Sequence, residues 1–158
     1  MVALHCDGSL SAYRAAYGGI IHHATGDPIL AYVGKGVETS VLSMELLAIH
    51  RGVALCLERD LQRVSIRSDS KLAVDIITGA VSCPWSVYVL KCQISSLLTQ
   101  LTHLEVRHVW REPNQPADFV ASIDNGDGET IIYPPDFPED LMRLIHNDTD
   151  RKTYFRIP

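Results

Sequence analysis

Hydrophobic and polar residues follow two different periods along the chain. Short apolar and aromatic runs bounded by turn residues are typical of strands, and they occupy "MVALHC", "YGGIIHH" and "PILAYVG". The turn cluster "ATGDP" between the last two runs predicts a hairpin. From Val41 to Leu57 the apolar residues recur every three or four positions, which predicts a helix. The chain therefore begins with three antiparallel strands followed by a helix.

The elements that follow alternate between strand and helix. "RVSIRS" and "HLEVRHVW" are predicted strands, and helices are predicted in "SKLAVDIIT", over residues 87–101 and in "REPNQPADFVASI", where Asn114 is a candidate cap. The order βββαβαβα predicts an α/β fold, a five-stranded mixed sheet with helices on both faces. The run "NGDGE" marks a boundary, so we expect a domain over residues 1–123 and an acidic appendage over residues 124–158.

Four acidic residues lie at the ends of these elements. Asp7 and Asp69 are predicted to end the first and fourth strands, whereas Glu45 and Asp118 are predicted near the starts of two helices. Each of them alone is explained as a turn residue, a cap or a complement to the helix dipole. Glu45 and Asp118 nevertheless interrupt runs of apolar or small residues. If the first and fourth strands are adjacent and parallel, all four carboxylates meet at one edge of the sheet.

Such a cluster needs cations, because neighbouring carboxylates repel one another. Mg²⁺ prefers a few carboxylates together with water and phosphate oxygens. Two divalent ions about 3.5–4 Å apart are a common device for in-line phosphodiester hydrolysis. We therefore expect a site for two Mg²⁺ ions, with Mn²⁺ as a substitute.

Composition and charge limit the partners and the cellular location that we expect for such a site. The 158 residues carry a net charge of −5, and most of it falls in residues 124–158, which hold 4 basic and 8 acidic residues. Residues 1–123 hold 10 basic and 11 acidic residues and are compatible with a nucleic acid partner. No apolar run approaches the roughly 20 residues that span a bilayer, so no membrane is expected. The four cysteines lack a C-x-x-C spacing, which favours reduced thiols and an intracellular location, in the nucleus or the cytoplasm.

Four segments, "CDGS", "MELLAI", "SDSKLAVDII" and "HVWREPNQPAD", resemble in order the acidic motifs of the ribonuclease H family. Within that family they resemble the plant ribonuclease H-like domains of non-LTR retroelements and their domesticated relatives. The tail segment "YPPDFPEDLMRLIHND" is similar to the segment that follows the domain in the plant group. The resemblance implies a ribonuclease H-like fold and a metal-dependent endonuclease that hydrolyses the RNA strand of RNA/DNA hybrids.

The resemblance also implies roles for single residues. The metal ligands would be Asp7, Glu45, Asp69 and Asp118, with Asp7 bridging both ions. His108, ten residues before Asp118, would assist proton transfer or product departure. Its parity with Leu104, Val106 and Trp110 fits a packed core histidine equally well. Candidates for substrate contacts are Ser9, Thr39, Ser40 and Asn114, residue types that also suit turns and caps.

Two functions are open at this point. The first is an active, hybrid-specific ribonuclease. The alternative is a domesticated, weakly active or inactive module that binds nucleic acid or protein. The acidic tail favours this alternative. So does the segment near residues 79–87, which lacks the basic insertion that bacterial members of the ribonuclease H family carry between these helices. Residues 139–146 form a short amphipathic segment that cannot be stable alone, so we expect it to dock on the domain or on a protein partner.

Overall fold

The computed structural model describes residues 1–37 and 40–154, without the side chains of residues 148–154. In chain order the described residues form β1 (Val2–Leu10), β2 (Ala15–His23), β3 (Pro28–Lys35), α1 (Val41–Glu58), β4 (Arg63–Ser68), α2 (Lys71–Thr78), α3 (Tyr88–Leu98), β5 (His103–His108), α4 (Gln115–Ala121), β6 (Glu129–Ile132) and α5 (Glu139–Tyr154). Single 3₁₀ turns precede α3 and α5.

The strands form one mixed sheet in the order β5-β4-β1-β2-β3-β6. β4 pairs parallel to both β1 and β5, whereas β2 pairs antiparallel to β1 and β3. The predicted α/β fold with a mixed sheet is confirmed, but the predicted count of five strands is wrong. The sixth strand, β6, comes from the predicted appendage and pairs antiparallel with β3, from Ala31 opposite Ile132 to Gly34 opposite Glu129.

Helices cover both faces of the sheet, as predicted. On one face α1 packs on the strands, and its buried residues Leu46 and Ile49 share a core with Leu4 and Tyr32. The core on the other face contains Ile20, Ala31 and Val33 from the sheet, Val120 from α4, and Phe137 and Leu141 from the tail. The tail segment therefore docks on the domain, and its helix α5 is longer than predicted. No helix in the described part of the chain is long and apolar enough to cross a membrane.

Candidate metal centre

Two neighbouring strands bring Asp7 and Asp69 to the same edge of the sheet. The parallel pairing of β1 with β4 runs as far as Cys6 opposite Ser68, and each aspartate comes one residue later. The condition on which the meeting of the carboxylates depended, adjacent and parallel first and fourth strands, is therefore met. β1 does not end at Asp7, however, but continues to Leu10 because its pairing with β2 continues. Asp7 is consequently held in a ladder on one side and faces the end of β4 on the other.

A close approach of α1 to β1 brings Glu45 to this edge. Ser40 precedes α1, and its Oγ accepts a hydrogen bond from the backbone nitrogen of Ser43 at 3.1 Å. This cap starts the helix so that Glu45 lies in its second turn. A Cβ atom on Gly8 would lie only 2.4 Å from the backbone nitrogen of Glu45. Glycine directly after Asp7 is therefore the residue that lets the two chain segments touch.

Three carboxylates converge at this point. Asp7, Glu45 and Asp69 each offer one oxygen that lies within 4.8 Å of the others. Asp7 and Glu45 are buried and Asp69 is half-buried. Among the described residues Glu45 Oε2 has no hydrogen-bond partner, although it is buried. An unsatisfied buried carboxylate oxygen beside two further carboxylates fits a hard divalent cation, which binds oxygen ligands and compensates their charge.

Without a cation the cluster favours protonated carboxyl groups. Burial raises the pKa of Asp7 far above its usual range, and the neighbouring carboxylates, first Glu45, raise it further. Burial also raises the pKa of Glu45, with a contribution from the charge of Asp69. The pKa of Asp69 is raised by burial, while the Arg111 guanidinium opposes this shift. A bound divalent ion reverses the balance and favours the ionised forms.

Asp118 lies near this group but is not one of the three. It is the exposed acidic residue in the first turn of α4. Its negative charge contributes to the raised pKa of Asp7, Glu45 and Asp69 alike. The structure thus brings the four predicted carboxylates together: Asp7, Glu45 and Asp69 offer mutually close oxygens, and the side chain of Asp118 is hydrogen-bonded to that of Asp7.

Asn114 ties the start of α4 to β1. Its side chain is fully buried, and Nδ2 donates a hydrogen bond to the backbone carbonyl of Cys6 at 2.9 Å. Its Oδ1 lies 3.2 Å from Nδ1 of His5, which is also buried. Asn114 makes no side-chain cap of α4, and its amide is used inside the protein rather than offered to a substrate. These contacts set the position of α4, and with it that of Asp118, relative to Asp7.

His108 ends β5 beside the carboxylate group. Its Nε2 lies 3.3 Å from the backbone oxygen of Asp69, and its ring meets that of Trp110 in an edge contact with centroids 5.8 Å apart. The side chain is exposed, so the interpretation as a packed core histidine is wrong. Its predicted role as an auxiliary group stays a prediction.

Two of the other three predicted substrate contacts, Ser9 and Ser40, lie in the described part of the chain. Ser9 is half-buried in β1. The hydroxyl of Ser40 serves as the α1 cap and also lies 2.8 Å from the hydroxyl of Ser43. Thr39 lies outside the described residues. Contact of Ser9, Thr39 and Ser40 with a substrate stays a prediction.

Sequence reasoning missed three residues around the site: His5, Trp110 and Arg111. A signal for His5 was available, because it stands two residues before Asp7 and so shares its face of β1. The signal for Trp110 and Arg111 is their position directly after the strand that pairs with β4. The contact of Trp110 with His108 and the effect of Arg111 on Asp69 depend on how the chain leaves β5, which no local pattern encodes.

The fold and the carboxylate site together define a ribonuclease H-like domain. Residues 5–123 match the model of the reverse transcriptase-like family. The chain belongs to that family. No curated protein matches the sequence.

Solved ribonuclease H structures share this fold. RNase H1 from the halophilic archaeon Halobacterium salinarum NRC-1 matches with a TM-score of 0.72 and 21% identity, over 76% of this chain and 93% of that one. The N-terminal RNase H domain of a Mycobacterium tuberculosis protein gives 0.70 and 22%, over 76% and 95%. LC11-RNase H1 in complex with an RNA/DNA hybrid gives 0.69 and 21%, over 76% and 93%. At these identities the likeness concerns the fold.

Proposed function

We propose that this chain is a metal-dependent endonuclease that hydrolyses the RNA strand of RNA/DNA hybrids. The observation that carries the proposal is the group formed by Asp7, Glu45 and Asp69, whose carboxylate oxygens lie within 4.8 Å of one another. Membership of the reverse transcriptase-like family supports it, as does the fold shared with LC11-RNase H1, which was solved with an RNA/DNA hybrid. An origin in a plant retroelement stays a prediction.

The residues that would hold two Mg²⁺ ions, or Mn²⁺ in their place, are Asp7, Glu45, Asp69 and Asp118. When bound, the ions supply Lewis-acid activation of the attacking water and charge compensation at the leaving oxygen. The chain supplies rigidity, since the β1–β2 ladder fixes Asp7 and the contact at Gly8 fixes Glu45. Pre-organised ligands cost no rearrangement at the moment of reaction.

We assign His108 to proton transfer at the edge of this group. Two observations support the assignment: the side chain is exposed, and Nε2 lies 3.3 Å from the backbone oxygen of Asp69. An imidazole ring nitrogen can accept a proton from water or deliver one to the product oxygen.

The test is cleavage of an end-labelled substrate panel with Mg²⁺ or Mn²⁺: an RNA/DNA hybrid, duplex RNA, duplex DNA and single strands. We expect cleavage of the RNA strand of the hybrid, with 5′-phosphate and 3′-hydroxyl ends. Asp69→Asn should fold normally and lose about 10³-fold in rate, because several kcal/mol of charge stabilisation depend on its anionic oxygen. Asp27→Asn, in the β2–β3 turn, is the matched control and should cut at the parental rate.

Other results of this panel separate the two functions. Binding of the hybrid without cleavage of any member, by folded protein with metal present, would support the inactive-module alternative. Cleavage by Asp69→Asn at near the parental rate would show that this carboxylate group is not the active site.

A further inference from the structure

Trp110 is a large, exposed apolar side chain whose ring contacts His108, the residue that ends β5 near Asp69. The chain has two tryptophans, and both are exposed, Trp85 by 88% and Trp110 by 78%. Trp85 stacks on Tyr88 with ring centroids 5.8 Å apart and an interplanar angle of 20°. Trp110 instead meets His108 at 68°, an edge contact. An exposed indole offers a ring face on which a nucleic acid base can stack.

Two residues close to Trp110 in the chain connect it to the site: His108, the last residue of β5, and Arg111, the next residue after Trp110. His108, its ring partner, lies 3.3 Å from the backbone oxygen of Asp69 through Nε2. Arg111, the next residue, is exposed, and its positive charge acts on the Asp69 carboxyl. Two consecutive residues near Asp69 thus provide an exposed indole, which contacts His108, and an exposed guanidinium, whose charge acts on Asp69. This pair of groups suits a nucleotide, with a base for the indole and a phosphate for the guanidinium.

We propose that Trp110 is a stacking platform for an unpaired base of the RNA strand next to the cleavage site, with Arg111 binding an adjacent phosphate. This inference rests on the proposed function, which brings the RNA strand to Asp69. Bases inside a continuous duplex are covered on both faces by their neighbours, so away from the duplex ends a surface indole can stack only where the strand is unpaired. The preferred substrate is thus a junction between hybrid and single-stranded RNA, not a blunt hybrid.

The charge of the chain agrees with such a contact. With a net charge of −5 the protein gains little from non-specific attraction to phosphates. Stacking on an aromatic side chain is independent of that attraction, and one stacked base raises affinity by about 10-fold. A single platform at the site would therefore provide a substantial share of substrate binding.

The two tryptophans allow a direct test by fluorescence. In Trp85→Phe the only indole is Trp110, and in Trp110→Phe the only indole is Trp85. Each protein, carrying Asp69→Asn as well so that cleavage is slow, is titrated in Mg²⁺ with a blunt hybrid, with hybrids that carry a 5′ or a 3′ RNA extension, and with the same hybrids carrying DNA extensions. We expect strong quenching of Trp110 by an RNA extension and little by the blunt hybrid. Trp85 should respond to neither.

Affinities measured by fluorescence anisotropy of labelled ligands complete the test. The wild type should bind one of the RNA junctions about 10-fold more tightly than the blunt hybrid. Trp110→Ala should lose this preference and keep its affinity for the blunt hybrid, whereas Trp110→Phe should retain part of the preference. Thermal melting checks that the variants fold, as expected for an exposed position.

Three results would overturn the stacking proposal: no quenching of Trp110 by any junction, equal quenching by junction and blunt hybrid, or an unchanged preference in Trp110→Ala. Equal responses to RNA and DNA extensions would overturn the assignment to the RNA strand. Because these measurements need no catalysis, quenching of Trp110 by a junction without cleavage by the wild type would contradict the proposed nuclease and support the stacking platform. Cleavage of blunt hybrids and junctions at equal rates, with no quenching of Trp110, would support the nuclease and contradict the platform.

Discussion

Gly8 shows how a single residue determines the geometry of the site. The backbone of α1 passes so close to β1 that a Cβ at this position would lie 2.4 Å from the nitrogen of Glu45 and 2.5 Å from the carbonyl carbon of Met44. Neither contact involves the end of a flexible side chain, so the helix itself would have to move. Asp7 and Glu45 are therefore neighbours because Gly8, at the contact between β1 and α1, has no side chain.

His108 provides a prediction at the same scale. We expect His108→Ala to lower kcat on a hybrid at neutral pH by about 10–100-fold, because a proton carrier beside Asp69 is lost. The melting temperature should stay unchanged, since the side chain is exposed and packs into no core. Steady-state kinetics and thermal melting measure the two effects.

His103→Ala, at the other exposed end of β5, is the matched control and should change neither quantity. An unchanged kcat in His108→Ala would remove the residue from the mechanism. A melting temperature that falls by several degrees would mean that its role is structural.

At the scale of elements, α2 was predictable and β6 was not, for a physical reason. α2 carries its own limits: Ser70 caps it by accepting from the backbone nitrogen of Ala73 at 3.2 Å, and Gly79 ends it at a φ of 81°. β6 has only four residues, and its partner strand lies about a hundred positions earlier in the chain. Local pattern cannot encode such pairing. For the same reason Asp7–Gly8 resembled a turn, although pairing with β2 extends the strand beyond it.

An ion pair anchors β6 to the rest of the fold. Glu129 accepts hydrogen bonds from Nε and Nη2 of Arg51, at 2.8 and 3.0 Å, and from the Tyr17 hydroxyl at 2.8 Å. Burial alone would raise the pKa of Glu129, but the bonds from Arg51 and Tyr17 outweigh it and hold the pKa below its usual value. A lowered pKa in the folded state stabilises the protein above about pH 4.5, and this contribution disappears as the pH falls through the folded pKa.

We therefore expect Glu129→Gln to lower the free energy of unfolding at pH 7 by about 1–2 kcal/mol, a few degrees in melting temperature. The difference from the wild type should shrink as the pH falls from about 4.5 through the lowered folded-state pKa, below which the carboxylate is protonated in both states. Glu58→Gln, at the exposed end of α1, should have little effect at either pH. An equally large difference at pH 3 and pH 7 would assign the loss to packing instead of charge.

At the scale of the whole molecule, the negative charge of the tail opposes the binding of a negatively charged substrate at the site. Leu141 and Phe137 bury the tail on the α4 face, so its negative charges stay with the domain. Under the proposed function, the carboxylate group at the end of β1 and β4 receives a polyanion in a chain of net charge −5. Bound divalent cations would resolve this conflict locally, because they neutralise carboxylates and offer positive charge to phosphate. Activity should accordingly depend on metal more than on any basic surface.

The most direct measurement is the rate of hybrid cleavage as a function of Mg²⁺ or Mn²⁺ concentration, for the wild type, for Asp7→Asn and for the control Asp27→Asn. We expect no cleavage by the wild type in EDTA and a rate that rises to saturation with either ion. Asp7→Asn should be about 10³-fold slower at every concentration, and Asp27→Asn should match the wild type. Cleavage that persists in EDTA, or an Asp7→Asn rate close to that of the wild type, would contradict a metal-dependent carboxylate site.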